Sequence, residues 1–279
     1  MKTRNKFPHS GFTLIELLVV VGILVALAGA LLPKLDRIDQ KTNKGIAASN
    51  ITGTSRYIQT YRILHNVYPD NWDSLVKADG SLAQAPTVNG PGLEPQTTGG
   101  TADGALSSGP NKLTTVTLTA PFVRSLERMN IATVLDWDAA GGNISGGAGA
   151  PTDLFNTKRT IAAGGKFATL NATGSTADGD AKDIVNQIYP ANKLPGGVSG
   201  ATPAGKQLVV FGFGPLNQAI GDVVQDCPAY SNTDSSKYYC RFLAVFEARD
   251  DGSRAELKLV VGTDGDLVRD EMNDFYDTK

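Results

Sequence analysis

Hydrophobic and polar positions divide the 279-residue chain into unlike parts. Phe12 to Leu32 is an almost unbroken apolar run, interrupted by a single carboxylate, Glu16. From Lys34 to His65 the pattern becomes amphipathic, with Leu35, Ile38, Thr42, Ile46, Ile51, Tyr57, Ile58, Tyr61 and Leu64 placed along it. Together the two stretches predict one long helix of about 80 Å at 1.5 Å per residue. Pro33, between them, removes a helical hydrogen bond and is expected to kink the rod. Gly45 and Gly53 weaken its second half and are possible breaks. Gly22, Ala26 and Ala30 lie four apart and form a small-residue ridge suited to close helix packing.

The remaining chain mixes short elements with long polar stretches. Tyr68-Pro69-Asp70-Asn71-Trp72 reads as a turn that docks Trp72 and Leu75 back onto the long helix. Ala78–Asn111, Gly141–Pro151 and Leu194–Gly205 are Gly-rich and poor in large apolar residues, and read as long loop insertions. Strands are predicted at Thr114–Thr119, Ile131–Leu135 and Leu208–Phe213, and short helices at Pro121–Asn130, within Asp178–Asn192, and at Leu216–Val224. Ile161–Leu170 is ambiguous. Tyr238–Ala248 and Arg254–Gly262 flank Asp250-Asp251-Gly252, a hairpin signal. The expected fold class is therefore α+β, a long N-terminal helix packed against a C-terminal antiparallel sheet.

Charge and candidate chemistry narrow the function classes. The formal net charge is −2. Without Lys2, Arg4 and Lys6 it would be −5, which argues against a surface that coats nucleic acid. Gly200-Ala201-Thr202-Pro203-Ala204-Gly205-Lys206-Gln207 nearly spells a phosphate-binding loop. It has Gln207 where a hydroxyl should hold magnesium, and a strand follows in place of a helix. Gly212-Phe213-Gly214 has Asn217 in place of the third glycine of a dinucleotide fingerprint. His65 belongs to no nucleophile motif, and no enzyme active site is expected.

Glu16 is the most informative residue. A carboxylate in an apolar run costs about 2.5–3.5 kcal/mol on insertion scales, so a partner for it is expected. The run is preceded by a short leader, Met1 to Gly11, carrying Lys2, Arg4 and Lys6. It lacks the short apolar region and following A-x-A cleavage site of a secretory signal peptide. Its length suits a single membrane span.

The segment Gly11-Phe12-Thr13-Leu14-Ile15-Glu16 resembles the processing site of type IV prepilins and type II secretion pseudopilins. The resemblance implies a leader at residues 1–11, a membrane and assembly half of the helix at 12–32, an amphipathic half at 33–65, and a globular periplasmic domain at 66–279. It implies cleavage by a prepilin peptidase between Gly11 and Phe12, N-methylation of Phe12, and pairing of Glu16 with the freed amino terminus of a neighbouring subunit. Pro33 stands where many pilins carry a proline. Implied partners are sister subunits, an inner-membrane assembly platform, an assembly ATPase and a secretin, with the chain anchored in the bacterial inner membrane. Tyr61 and the Tyr68-Pro69 turn resemble the major pseudopilin branch, which implies a short helix after the turn, ending at Leu75-Val76; that branch also uses calcium in a C-terminal loop. Asp264 and Asp266, with Asp270 and Glu271, are candidate ligands in an acidic C-terminal loop, the alternative being a solvated turn. Behind an export signal, Cys227 and Cys240 are expected to form a disulfide worth roughly 3 kcal/mol for a loop of about 15 residues, the alternative being two thiols. A scarce tip subunit acting as a binding module, and a membrane-anchored hydrolase using the leader only for targeting, are the rival functions.

Overall fold

The computed structural model describes residues 13–77, 80–82, 112–137, 155–171, 180–190, 203–229, 241–262 and 265–277. The Gly-rich stretches lie almost wholly outside the described residues, as do Gly11, Phe12, Cys240 and Asp264.

Helix α1, Leu14–His65, is continuous over 52 residues, about 78 Å. It runs as helix through Pro33, Gly45 and Gly53, so the glycines do not break it. It ends at Asn66, whose φ of 60° puts it in the left-handed region used by helix C-caps. Among the described residues, eight strands and three shorter helices follow: β1 Trp72–Lys77, β2 Lys112–Thr117, α2 Ala120–Glu127, β3 Thr133–Trp137, β4 Phe155–Thr160, β5 Lys166–Asn171, α3 Asp180–Ile188, β6 Lys206–Gly212, β7 Leu243–Arg249, β8 Glu256–Val261 and α4 Val268–Asp277.

Six strands form one sheet in the order β4-β3-β1-β6-β7-β8, while β2 and β5 pair as a second, two-stranded sheet. The large sheet is mixed, because β1 and β3 run parallel while the other neighbours are antiparallel. This corrects the expectation of a purely antiparallel, C-terminal sheet. The parallel pair is possible because the long connection from β1 to β3, which includes β2 and α2, makes the crossover a parallel pair requires.

Both faces of the sheet are covered. On one, Ile51, Ile58 and Tyr61 of α1 and Val123 and Leu126 of α2 pack on Trp72, Phe211, Ala244 and Phe246. On the other, Ile184 and Val185 of α3 and Leu113 and Leu170 of the small sheet pack on Leu75, Val210, Leu243 and Val245. The alternation of β7 between the two clusters is the period of two in a strand.

Three further expectations are corrected. The stretch after Tyr68 is strand β1, not a short helix; Trp72 faces α1, but Leu75 lies in the opposite cluster. The predicted helix at Leu216–Val224 is a series of turns. There the Asn217 side chain accepts from the Ala219 N–H at 3.1 Å and Gly221 has φ of 83°, both features of turns. The acidic C-terminal loop becomes helix from Val268 onward, with Asp270 and Glu271 in its first turn, where the helix dipole favours acids. The hairpin at Asp250-Asp251-Gly252 is present: Gly252 has φ of 69° and the Asp251 carboxylate accepts from the Ser253 N–H at 2.7 Å.

Candidate functional site

The first half of α1 stands apart from the domain. Its large apolar side chains are exposed, from 81% at Leu14 to 50% at Val21, and the buried core begins only at Ala47. An added methyl at Gly22 would meet nothing within 4 Å, so there is open space beside this glycine. Among the described residues no helix is long and apolar enough to cross a membrane.

Glu16 has a partner inside its own chain. Its carboxylate accepts from the Thr13 N–H at 2.8 Å, and the Thr13 hydroxyl accepts from the Glu16 N–H at 3.3 Å. This is a capping box, which satisfies backbone donors that a helix start leaves open. The signature Thr-x-x-Glu was present in the sequence, but its local role was overshadowed by the acid's apolar surroundings.

The second half of α1 is fixed to the sheet by the Tyr68–Asp70 turn. The Tyr68 hydroxyl accepts from the Leu257 N–H at 3.0 Å, while Arg62 of α1 lies 5.1 Å above the Tyr68 ring. Burial raises the Tyr68 pKa. The Asp70 carboxylate accepts from the N–H groups of Ala132 and Thr133 at 3.0 and 2.8 Å and from the Thr133 hydroxyl at 2.6 Å. The Trp72 indole donates to the Pro69 carbonyl at 2.6 Å, with Phe246 edge-on at 5.2 Å. His65, exposed at the end of α1, sits 2.7 Å from Asp222 and stacks on Tyr61, joining the helix end to the 219–224 turns.

Lys44 of α1 meets the C-terminal segment. Its ammonium is 3.3 Å from the carboxylates of both Asp266 and the fully buried Glu271. Nearby, the Phe275 ring of α4 lies over Gly45, where an added methyl would meet it at 3.6 Å. Of the acids expected to hold calcium, Asp266 and Glu271 thus face a cation supplied by the chain. Asp264, the other residue named for calcium with Asp266, lies outside the described residues.

Glu247 is the other charged centre. It is buried and paired with Lys206, Arg249 and Lys258 at 3.3, 2.9 and 3.5 Å, and the Tyr189 hydroxyl donates to it at 2.5 Å. Burial pushes the Glu247 carboxyl up, but the Tyr189 and Arg249 hydrogen bonds and the charges of Lys258 and Lys206 outweigh it and hold it below the usual value. Lys206, the lysine of the phosphate-loop look-alike, serves this buried carboxylate. Cys227 lies with its sulfur 3.0 Å from the Phe213 carbonyl, and its own carbonyl accepts from Arg241, the residue after Cys240, at 2.6 Å.

Residues 7–32 match the family model for the prokaryotic N-terminal methylation motif. The N-terminal segment is similar to that of type IV pilins and type II secretion pseudopilins. The chain is 33% identical over 66 residues to the type IV wide pilus major component PilA4 of Thermus thermophilus, covering 24% of this chain and 50% of that protein. It is 34% identical over 78 residues to the type II secretion system core protein G of Dickeya chrysanthemi, covering 28% of this chain and 48% of that protein. The chain spans about half the length of these curated pilin-family relatives. No solved structure matches it.

Proposed function

We propose that the chain is a subunit of a pilin-like filament, polymerised through the N-terminal half of α1. The observation that carries this reading is a helix whose apolar half is exposed on a domain that is already packed without it. Such a surface needs a lipid or protein environment, and sister helices supply one in a filament core. The matched methylation motif and a pilus component and a secretion protein among the relatives support the same reading.

In this scheme Phe12–Leu32 holds the chain in a membrane before assembly, with the domain on the far side. A prepilin peptidase cuts after Gly11 and Phe12 is methylated. Glu16, held meanwhile by Thr13, then pairs with the amino terminus of a neighbour. Pro33 bends the helix where it leaves the membrane, and Cys227 and Cys240 close a disulfide. The scheme needs no chemistry beyond processing of the chain, so the subunit is read as structural and not as an enzyme.

Mass spectrometry of protein from native membranes, combined with filament incorporation of Glu16→Val, tests the scheme. A population beginning at Phe12 and a failure of Glu16→Val to incorporate are expected. A chain that retains Met1 throughout, or normal incorporation of the variant, overturns it.

A further inference from the structure

We propose that Lys44 supplies, from within the chain, the cation that docks the C-terminal segment, so that α4 binds α1 without a divalent ion. Glu271 is fully buried, and a buried carboxylate needs a paired cation or a metal ion to offset its lost hydration. Its oxygen and that of Asp266 converge on one ammonium, each at 3.3 Å. The side chain of Lys44 is about one-third exposed, so most of it is covered where its ammonium meets the two carboxylates.

The three residues come from three places in the fold. Lys44 lies in α1, Asp266 in the segment after β8, and Glu271 in the first turn of α4. The Gly262 N–H donates to the Asp266 carbonyl at 3.0 Å, which orients that segment directly from the end of β8. In this clamp Lys44 links the long helix to the segment after the edge strand β8 and to the last helix. Asp270 is engaged separately, 3.2 Å from Arg269. The apolar contact beside the clamp, Phe275 over Gly45, holds the far end of α4.

The test uses the full chain in detergent micelles, followed by the fluorescence of the two tryptophans on heating and by hydrogen exchange of α4. Calcium chloride at millimolar concentration and a calcium chelator are the two conditions. Wild type should unfold at the same temperature in both, within about 1 °C. Lys44→Met keeps the stem and removes the charge; α4 amides should then exchange at least about tenfold faster, while Lys44→Arg retains protection. Lys41→Met, one turn away, should leave α4 unchanged. A wild-type melting temperature that rises with calcium and falls with chelator overturns the proposal, even if the variants misfold. Unchanged α4 protection in Lys44→Met overturns it as well.

Discussion

Glu247 shows how a single buried acid ties elements together. It joins β6, β7, β8 and the end of α3 through Lys206, Arg249, Lys258 and Tyr189. Its pKa is lowered in the fold, so its contribution to stability is complete above the unfolded value near 4.3 and is lost as pH falls through the lower folded value. Glu247→Gln should destabilise the domain at pH 7, toward the lower end of the roughly 3–5 kcal/mol for breaking a buried pair, because the three cations stay partly in water. The deficit should shrink as pH falls below about 4, which thermal melts of both proteins from pH 7 to pH 3 would measure. An undiminished deficit at pH 3 would assign the loss to packing. Gly214 makes a second residue-scale case. A methyl added there would collide with the buried carboxylate of Asp73. Gly214→Ala should therefore cost about 1–3 kcal/mol, the usual penalty for overpacking, read as a lower midpoint in denaturant. The glycine that mimicked part of a nucleotide fingerprint is required by a neighbouring side chain.

At the scale of elements, the end of α1 offers a backbone test. Asn66 stands at φ of 60°, where asparagine and glycine are tolerated and a Cβ with no local hydrogen bonding costs about 1–2 kcal/mol. Asn66→Ala should lower the melting temperature while Asn66→Gly stays near wild type; equal effects would place the cost in a lost side-chain contact. Elements with a self-contained pattern were legible in the sequence. The long helix, the proline-led α2, the apolar β6 and the Asp-Asp-Gly hairpin all appear within a few residues of their expected places. The misread ones depend on partners far along the chain. Trp72-Asp73-Ser74-Leu75-Val76 lacks a clean alternation because β1 is an interior strand covered on both faces, by α1 and α2 on one and by α3 and the small sheet on the other. Helix α4 looked like a charged loop because one of its buried positions is Glu271, whose cation sits in α1. Its neighbour Asp266 is 222 residues from that same lysine. At the candidate site, the apolar run and Glu16 could be read directly, whereas nothing in the local pattern around Lys44 marks it as the partner of acids more than 200 residues away.

For the whole molecule, the separation between the apolar half of α1 and the rest has a measurable consequence. The two buried clusters contain no residue before Ile51, so removing the first part of the helix deletes none of their contacts. The exposed Leu, Ile and Val side chains from Leu14 to Leu31 retain half or more of their accessible surface. At about 25 cal/mol per Å², covering them is worth roughly 1 kcal/mol each, on the order of 10 kcal/mol for the run. That is comparable with the estimated 4–15 kcal/mol cost of immobilising a partner, so the run favours micelles or sister helices over free solution without fixing one register by itself. A chain beginning at Lys34 should consequently remain folded and monomeric without detergent, with a thermal midpoint within a few degrees of the full chain in micelles. The full chain should require detergent or appear as large assemblies. Light scattering and tryptophan fluorescence, which reports on buried Trp72 and Trp137, distinguish the outcomes. A shortened chain that aggregates with its tryptophans exposed would mean that the first half of α1 supports the fold as well as assembly, and the division of labour along the helix would have to be abandoned.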